Sequence, residues 1–181
     1  MAQFETHSSA PRVTVWDLGV RLFHWSLVSM VVLTYLFDEP RKLHRGMGYV
    51  VIILIAFRLI WGFVGGKHAR FADFIPSPAR LFGYLRDMLR GREARYLGHN
   101  PAGAAMIVLL LCTLSAIGAT GYMMGMDAYF GKDWVENTHK ILVNFLIVFV
   151  AGHVGGVIFS SWRHRENLVK AMVTGHKERH D

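Results

Sequence analysis

His139 and His153 stand fourteen residues apart in the last long apolar run of the chain, which reads as one helix from about His139 to Ser160. At ~100° and ~1.5 Å per residue, that spacing puts both imidazoles on nearly one face, ~21 Å apart along the axis. A neutral imidazole ligates metals, haem iron among them. One helix therefore offers two ligand positions at two depths. Two further helices with one histidine each at matching depths would complete two bis-imidazole centres, which leave no open coordination position and suit electron transfer rather than oxygen binding. The other apolar runs supply the candidates: His24 about one turn inside the first, and His44 at the entry to the second. By depth, His24 pairs with His153 and His44 with His139.

The elements that must position these residues are four apolar runs. The first, Val20 to Phe37, has Trp16 and Trp25 near its start, as at a membrane interface, and ends at Asp38, Glu39 and Pro40. A polar loop, Arg41 to Arg45, leads through His44 into the second run, Met47 to Val64, which Gly62, Gly65 and Gly66 close. This run contains Arg58, fourteen residues after His44 and so at the depth of the inner pair. Two roles are open to it: neutralising a haem propionate, or snorkelling to the membrane surface. In the long loop Lys67 to Asn100, Ser77 and Pro78 give a helix start. Leu81, Phe82, Leu85, Met88 and Leu89 then recur at helical spacing with Arg80, Arg86 and Arg90 off the stripe. That pattern predicts a short helix lying on the membrane surface, stopped by Gly91. Asn100 and Pro101 open the third run, which continues to about Met123 without a histidine. A polar loop with Asp127, Lys132, Asp133 and Glu136 precedes the fourth, and the basic tail after Trp162 suggests a surface helix from Glu166 to Val173.

The totals agree with this layout. The chain has 181 residues, 52% of them hydrophobic, a mean hydropathy of +0.29 and a formal net charge of +7. That combination fits a membrane bundle with charged loops better than a soluble domain. The basic residues flank apolar runs instead of clustering with aromatics, so no nucleic-acid partner is expected. The lone Cys112 excludes a disulfide and a thiolate cluster, and no C-x-x-C-H is present, so any haem is held non-covalently. Met1 to Val15 lacks a signal-peptide pattern and reads as a retained tail. Basic residues crowd the long loop and the C-terminal tail, which puts both termini in the cytoplasm by the positive-inside rule. The expected fold is all-α: a four-helix transmembrane bundle with a short cytoplasmic interfacial helix between helices two and three, one domain over 1–175 and a tail over 176–181. Each histidine taken singly also fits a polar interface anchor, and Gly46, Gly48, Gly152, Gly155 and Gly156 fit either approach of a flat macrocycle or ordinary helix packing.

The runs W-D-L-G-V-R-L-F-H-W at Trp16 to Trp25 and H-R-G-M-G-Y at His44 to Tyr49, the stretch Arg58 to Gly62, and the His139 to His153 spacing resemble the bacterial cytochrome b561 family. That family includes the di-haem cytochrome b subunit of nickel-iron hydrogenases. R-Y-L-G-H-N-P-A-G at Arg95 to Gly103 and E-N-L-V-K-A-M-V-T-G at Glu166 to Gly175 are similar to further members. The resemblance runs from Trp16 to about Gly175. It implies His24, His44, His139 and His153 as axial ligands of two b haems in a bacterial inner membrane, with quinone as substrate.

The expected function is electron transfer between the quinone pool and a periplasmic redox partner, either a hydrogenase-like dehydrogenase or a c-type cytochrome. The loop Gly121 to Thr138 is the expected docking surface. Assembly into an oligomer is compatible with the chain. One competing reading is a stand-alone quinol oxidase of small acceptors such as superoxide, with Arg41, Lys42, Arg45, Lys132 and Lys140 steering an anion to the outer centre. Another is a helical scaffold without redox chemistry. Two groups of polar residues qualify for a quinone site: Arg12, Asp17 and Arg21 near the inner centre, and Asn137 and Lys140 near the outer one.

Overall fold

The computed structural model describes residues 12–178. Along the chain run β1 (Arg12–Thr14), α1 (Leu18–Leu36), α2 (Arg41–Val64), α3 (Phe71–Phe74), α4 (Pro78–Leu89), α5 (Pro101–Met123), α6 (Asp133–Arg163), α7 (Leu168–Thr174) and β2 (His176–Glu178). The four long helices α1, α2, α5 and α6 are each long and apolar enough to cross a membrane, with mean hydropathy from 1.3 for α1 to 2.3 for α6. At ~1.5 Å per residue even the shortest, α1 with 19 residues, approaches the ~30 Å of a hydrocarbon core. The molecule is an all-α bundle of four membrane-spanning helices.

Local chemistry explains where each helix starts. The Asp17 carboxylate accepts from Val20 N at 2.8 Å, and the Asn100 side-chain oxygen accepts from Gly103 N at 2.7 Å, with Pro101 in the first helical turn. Ser77 and Pro78 do the same for α4. Two starts lie earlier than the apolar pattern implies. Helix α2 begins at Arg41, directly after Pro40, so the expected loop Arg41 to Arg45 is its first turn. Helix α6 begins at Asp133, six residues before His139, because Asp133 and Glu136 in the first turn favour the positive end of the helix dipole. His139 thus sits well inside α6, and the expected docking loop Gly121 to Thr138 shortens to 124–132.

Phe23, Val51, Ile55, Leu111, Leu114 and Leu146 form the core, one or more from each long helix. Helix α1 packs on α2, α2 on α5, and α5 on α6, with α4 against α5. Helix α6 makes no comparable contact with α1 or α2 among the described residues, although those two helices carry the histidines that face it. Large apolar side chains such as Leu22, Ile53, Phe63, Val148 and Ile158 point outward along the spans, an arrangement suited to lipid contact. On α4 the inward face centres on Tyr84, while Phe82 and Leu89 of the expected stripe are exposed.

The two ends of the described chain are tied together. Strands β1 and β2 pair antiparallel, with Arg12 opposite Glu178, Val13 opposite Lys177 and Thr14 opposite His176. Val15 N and Trp16 N both donate to Gly175 O, at 2.9 and 3.1 Å. Gly175 ends α7 at φ 85, where a Cβ would also lie 2.7 Å from Trp16 O, so only glycine fits. His176–Glu178 is therefore part of the folded unit and not of a separate tail over 176–181, and Arg12 to Val15 likewise leave the expected N-terminal tail. Residues 1–11 and 179–181 lie outside the described residues. Beside this clasp, Arg163 bonds Glu93 at 2.9 Å, and Glu166 takes both Arg95 and Lys177.

Candidate functional site

His44 lies in the first turn of α2 and His139 on α6, with ring centroids 6.5 Å apart and planes inclined at 72°. Each ring has its Nδ1 engaged. His44 Nδ1 is 3.0 Å from Thr34 O, which as a carbonyl only accepts, so Nδ1 carries the proton. His139 Nδ1 is 2.9 Å from Thr120 Oγ1. The Thr120 hydroxyl gives its single proton to the backbone of its own helix, at Ala116 O or Ile117 O, and so accepts from His139. Both Nε2 atoms are left with lone pairs. Two imidazole–metal bonds of ~2 Å, with ~1 Å more from each nitrogen to its ring centre, add to about 6 Å. The observed separation fits one metal between the rings.

For the other two sequence-derived ligands the relation is electrostatic. His24 on α1 and His153 on α6 lie within electrostatic range of each other. His24 packs edge-on against Trp25 at 5.0 Å, and its buried Nδ1 has no hydrogen-bond partner. The glycines beside these histidines divide into two kinds. A Cβ at Gly46, Gly48, Gly155 or Gly156 would meet nothing within 4 Å, so these positions border open space and not a tight helix contact. At Gly118, Gly121 and Gly152 a Cβ would lie 2.9 Å from Ile52, 3.4 Å from His139 and 3.3 Å from Met106, so close packing between helices uses those three. The stand-off of α6, the open glycines and the unpaired His24 nitrogen fit a flat, imidazole-ligated group such as haem. No group of three or more His, Cys, Asp or Glu side chains that could hold a metal ion occurs among the described residues. The bundle offers pairs of imidazoles, not a multi-ligand cage.

Arg58 is 3% exposed, which removes the snorkelling role. Its Nη2 donates to Ala69 O at 3.0 Å, and its guanidinium lies over Phe71 at 4.8 Å and Phe74 at 5.9 Å. Its buried Nη1 has no partner. His99, near the end of the long loop Lys67 to Asn100 and not among the sequence-derived ligands, has its ring held between Trp16 at 4.5 Å and Phe74 at 4.7 Å, and its Nδ1 is also buried without a partner. Burial, with the Arg58 charge next, pushes the His99 imidazole down to about 3, so it is neutral at ordinary pH. The available signal was its place just before the Asn100 cap, a position from which side chains often pack back onto the fold.

Several polar candidates for a quinone site are committed elsewhere. Asp17 caps α1 and accepts from Trp61 Nε1 at 3.2 Å, Arg21 donates to Val173 O, and Lys140 bonds Glu136 at 2.7 Å. Asn137 is exposed. The side chain of Arg12 lies outside the described residues, as do His7 and His180.

Comparison with known proteins matches the sequence to one family. Residues 15–175 match the model of the prokaryotic cytochrome b561 family. Among curated relatives, a probable Ni/Fe-hydrogenase B-type cytochrome subunit of Bradyrhizobium diazoefficiens is 24% identical, over 94% of this chain and 88% of its own length. Proteins of the same description from Azotobacter vinelandii and Cupriavidus necator are 27% and 26% identical, each over 90% of this chain and 87% and 86% of their own lengths. No solved structure gives a significant match. With all but the extreme ends of the described chain inside the match, the chain belongs to the prokaryotic cytochrome b561 family and is a multi-pass membrane cytochrome of the b type that serves electron transfer.

Proposed function

We propose that the chain carries electrons across a bacterial inner membrane through two b haems, between the quinone pool and a periplasmic redox partner. His44 and His139 are the axial ligands of the outer haem, and His24 and His153 those of the inner one. The observation that carries the reading is the outer pair: two rings at one-metal spacing with both Nδ1 protons turned away onto Thr34 and Thr120. A bound haem supplies reversible one-electron oxidation and reduction at a closed coordination sphere. The chain's own residues hold the imidazoles at two depths, fix the tautomers of the outer pair, and place Arg58 near the inner pair as the counter-charge for a propionate.

The relatives' printed descriptions as hydrogenase cytochrome subunits support a hydrogenase-like partner over a c-type cytochrome. The basic long loop and tail support a cytoplasmic location for both termini and a periplasmic location for 124–132. The competing reading, quinol oxidation coupled to a small anionic acceptor such as superoxide, needs free positive charge near the outer pair. Arg41 lies 3.5 Å from Glu39 and Lys140 lies 2.7 Å from Glu136, which reduces that field.

The test is a dithionite-reduced minus oxidised spectrum and a haem count on the purified protein. The expected outcome is two b haems per chain in the wild type, and in His139→Ala one haem with the inner centre's spectrum. Loss of both haems or of neither in that variant overturns the pairing, and a wild type without a b-type band overturns the redox reading. Stopped-flow reoxidation by superoxide against reoxidation by periplasmic cytochromes separates the two redox readings.

A further inference from the structure

Two buried nitrogens with nothing to bond to lie in one small region beside the inner histidine pair. One is Arg58 Nη1 on α2; the other is His99 Nδ1, just ahead of α5. Both side chains lean on Phe74, and His99 is within electrostatic range of both Arg58 and His153. A buried guanidinium with one hydrogen bond and an idle N–H pair is unfavourable unless an anion completes it. The nearby charged groups are already engaged. Asp17 is within electrostatic range of Arg58 but makes no hydrogen bond to Nη1; its carboxylate holds the α1 cap and Trp61, and Lys177 holds Glu166 at 3.3 Å and Tyr96 O at 3.4 Å. The remaining neighbour, His68, lies against Gly98.

We propose that Arg58 and His99 form a two-donor site for a single carboxylate, and that the carboxylate is a propionate of the inner haem. The proposal rests on the two-haem reading and adds His99 to it as a binding residue. A monoanion is the matching class: it balances the charge of Arg58, and its two oxygens accept from the guanidinium and from the neutral imidazole. Both donor nitrogens are buried beside Phe74, and His99 is within electrostatic range of His153, so a carboxylate attached to a group held by His153 is the source that matches their position.

The experiment uses the purified two-haem protein and reads the propionate bending modes by resonance Raman spectroscopy together with the midpoint potentials. Arg58→Gln and His99→Leu are each expected to shift the propionate modes of one haem and to lower that haem's midpoint, since a positive charge and a donor beside the ring favour the reduced state. The other haem stays at its wild-type potential. His99→Asn and Arg58→Lys, which keep an N–H donor, restore the modes in part, and Arg58→Met takes the place of Arg58→Gln if that variant does not fold. The wild-type potential is expected to be indifferent to added acetate. Modes and midpoints unchanged in Arg58→Gln or Arg58→Met and in His99→Leu, with both haems present, overturn the proposal, and a potential that follows acetate replaces the propionate by a free anion. A wild type with fewer than two haems is the separate failure of the two-haem reading.

Discussion

Thr120 has one hydroxyl proton and spends it on its own helix, so its oxygen is free only to accept from His139. Groups in that position orient a metal-bound imidazole, and their loss typically costs about 10–100-fold in affinity. Thr120→Val should therefore weaken binding of the outer haem about tenfold in a haem titration while the inner haem stays, and Thr120→Ser should restore it. Equal weakening of both haems would show a general loss of structure instead. At this scale the sequence was most legible where periodicity alone decides. Fourteen residues along a helix set the relation of His139 to His153 whatever surrounds them. The place of His99 before the Asn100 cap is its one local mark, and it does not give the burial, which depends on Trp16 and Phe74 arriving from distant segments.

Helix α3 and the end of α2 meet where Gly62 lies under Phe71. A Cβ at Gly62 would lie 2.1 Å from the Phe71 ring, so Gly62→Ala must push that ring off Arg58. The expected cost is about 1–3 kcal/mol, as for other overpacked cores, read as a lower melting temperature and faster tryptic cleavage at Arg70. Asp17→Ala removes both the α1 cap and the Trp61 contact, and a thermal melt should show a loss of about 1–2 kcal/mol. Glu93 ties the loop after α4 to Arg163 at the end of α6. Its own backbone hydrogen bond, and then Arg163, hold its carboxyl below the ordinary 4.5, so the unfolded chain binds the proton more readily. The stability it contributes is full above that ordinary value and is lost as pH falls through the lower folded value. Melting temperature should drop on acidification below about pH 4.5, and Glu93→Gln should flatten that limb. Element starts with a side-chain cap followed by proline, at Ser77 and Asn100, were legible to the residue. Those of α2 and α6 were not, because a first turn of charged residues has the composition of a loop.

At the scale of the whole molecule, α6 is packed along α5 and stands off from α1 and α2. A group bound only by the folded state adds stability in proportion to the logarithm of its concentration over its Kd, about 4 kcal/mol at a thousandfold excess. Protein made without haem should therefore keep α1, α2 and α5 protected in hydrogen exchange and show faster exchange in α6 around His139 and His153. Equal protection of α6 with and without haem would place its stability elsewhere. The four-span architecture was legible because apolar length is a property of contiguous sequence. The clasp was not, since strands of three residues with polar members carry no pattern that distinguishes them from coil. Its consequence is one of parity. Strand partners share a compartment, so the chain between Thr14 and His176 must cross the bilayer an even number of times, independently of any count of loop charges. Reporters fused at either end must then give the same reading, and inserting a fifth crossing anywhere between them would force the clasp open.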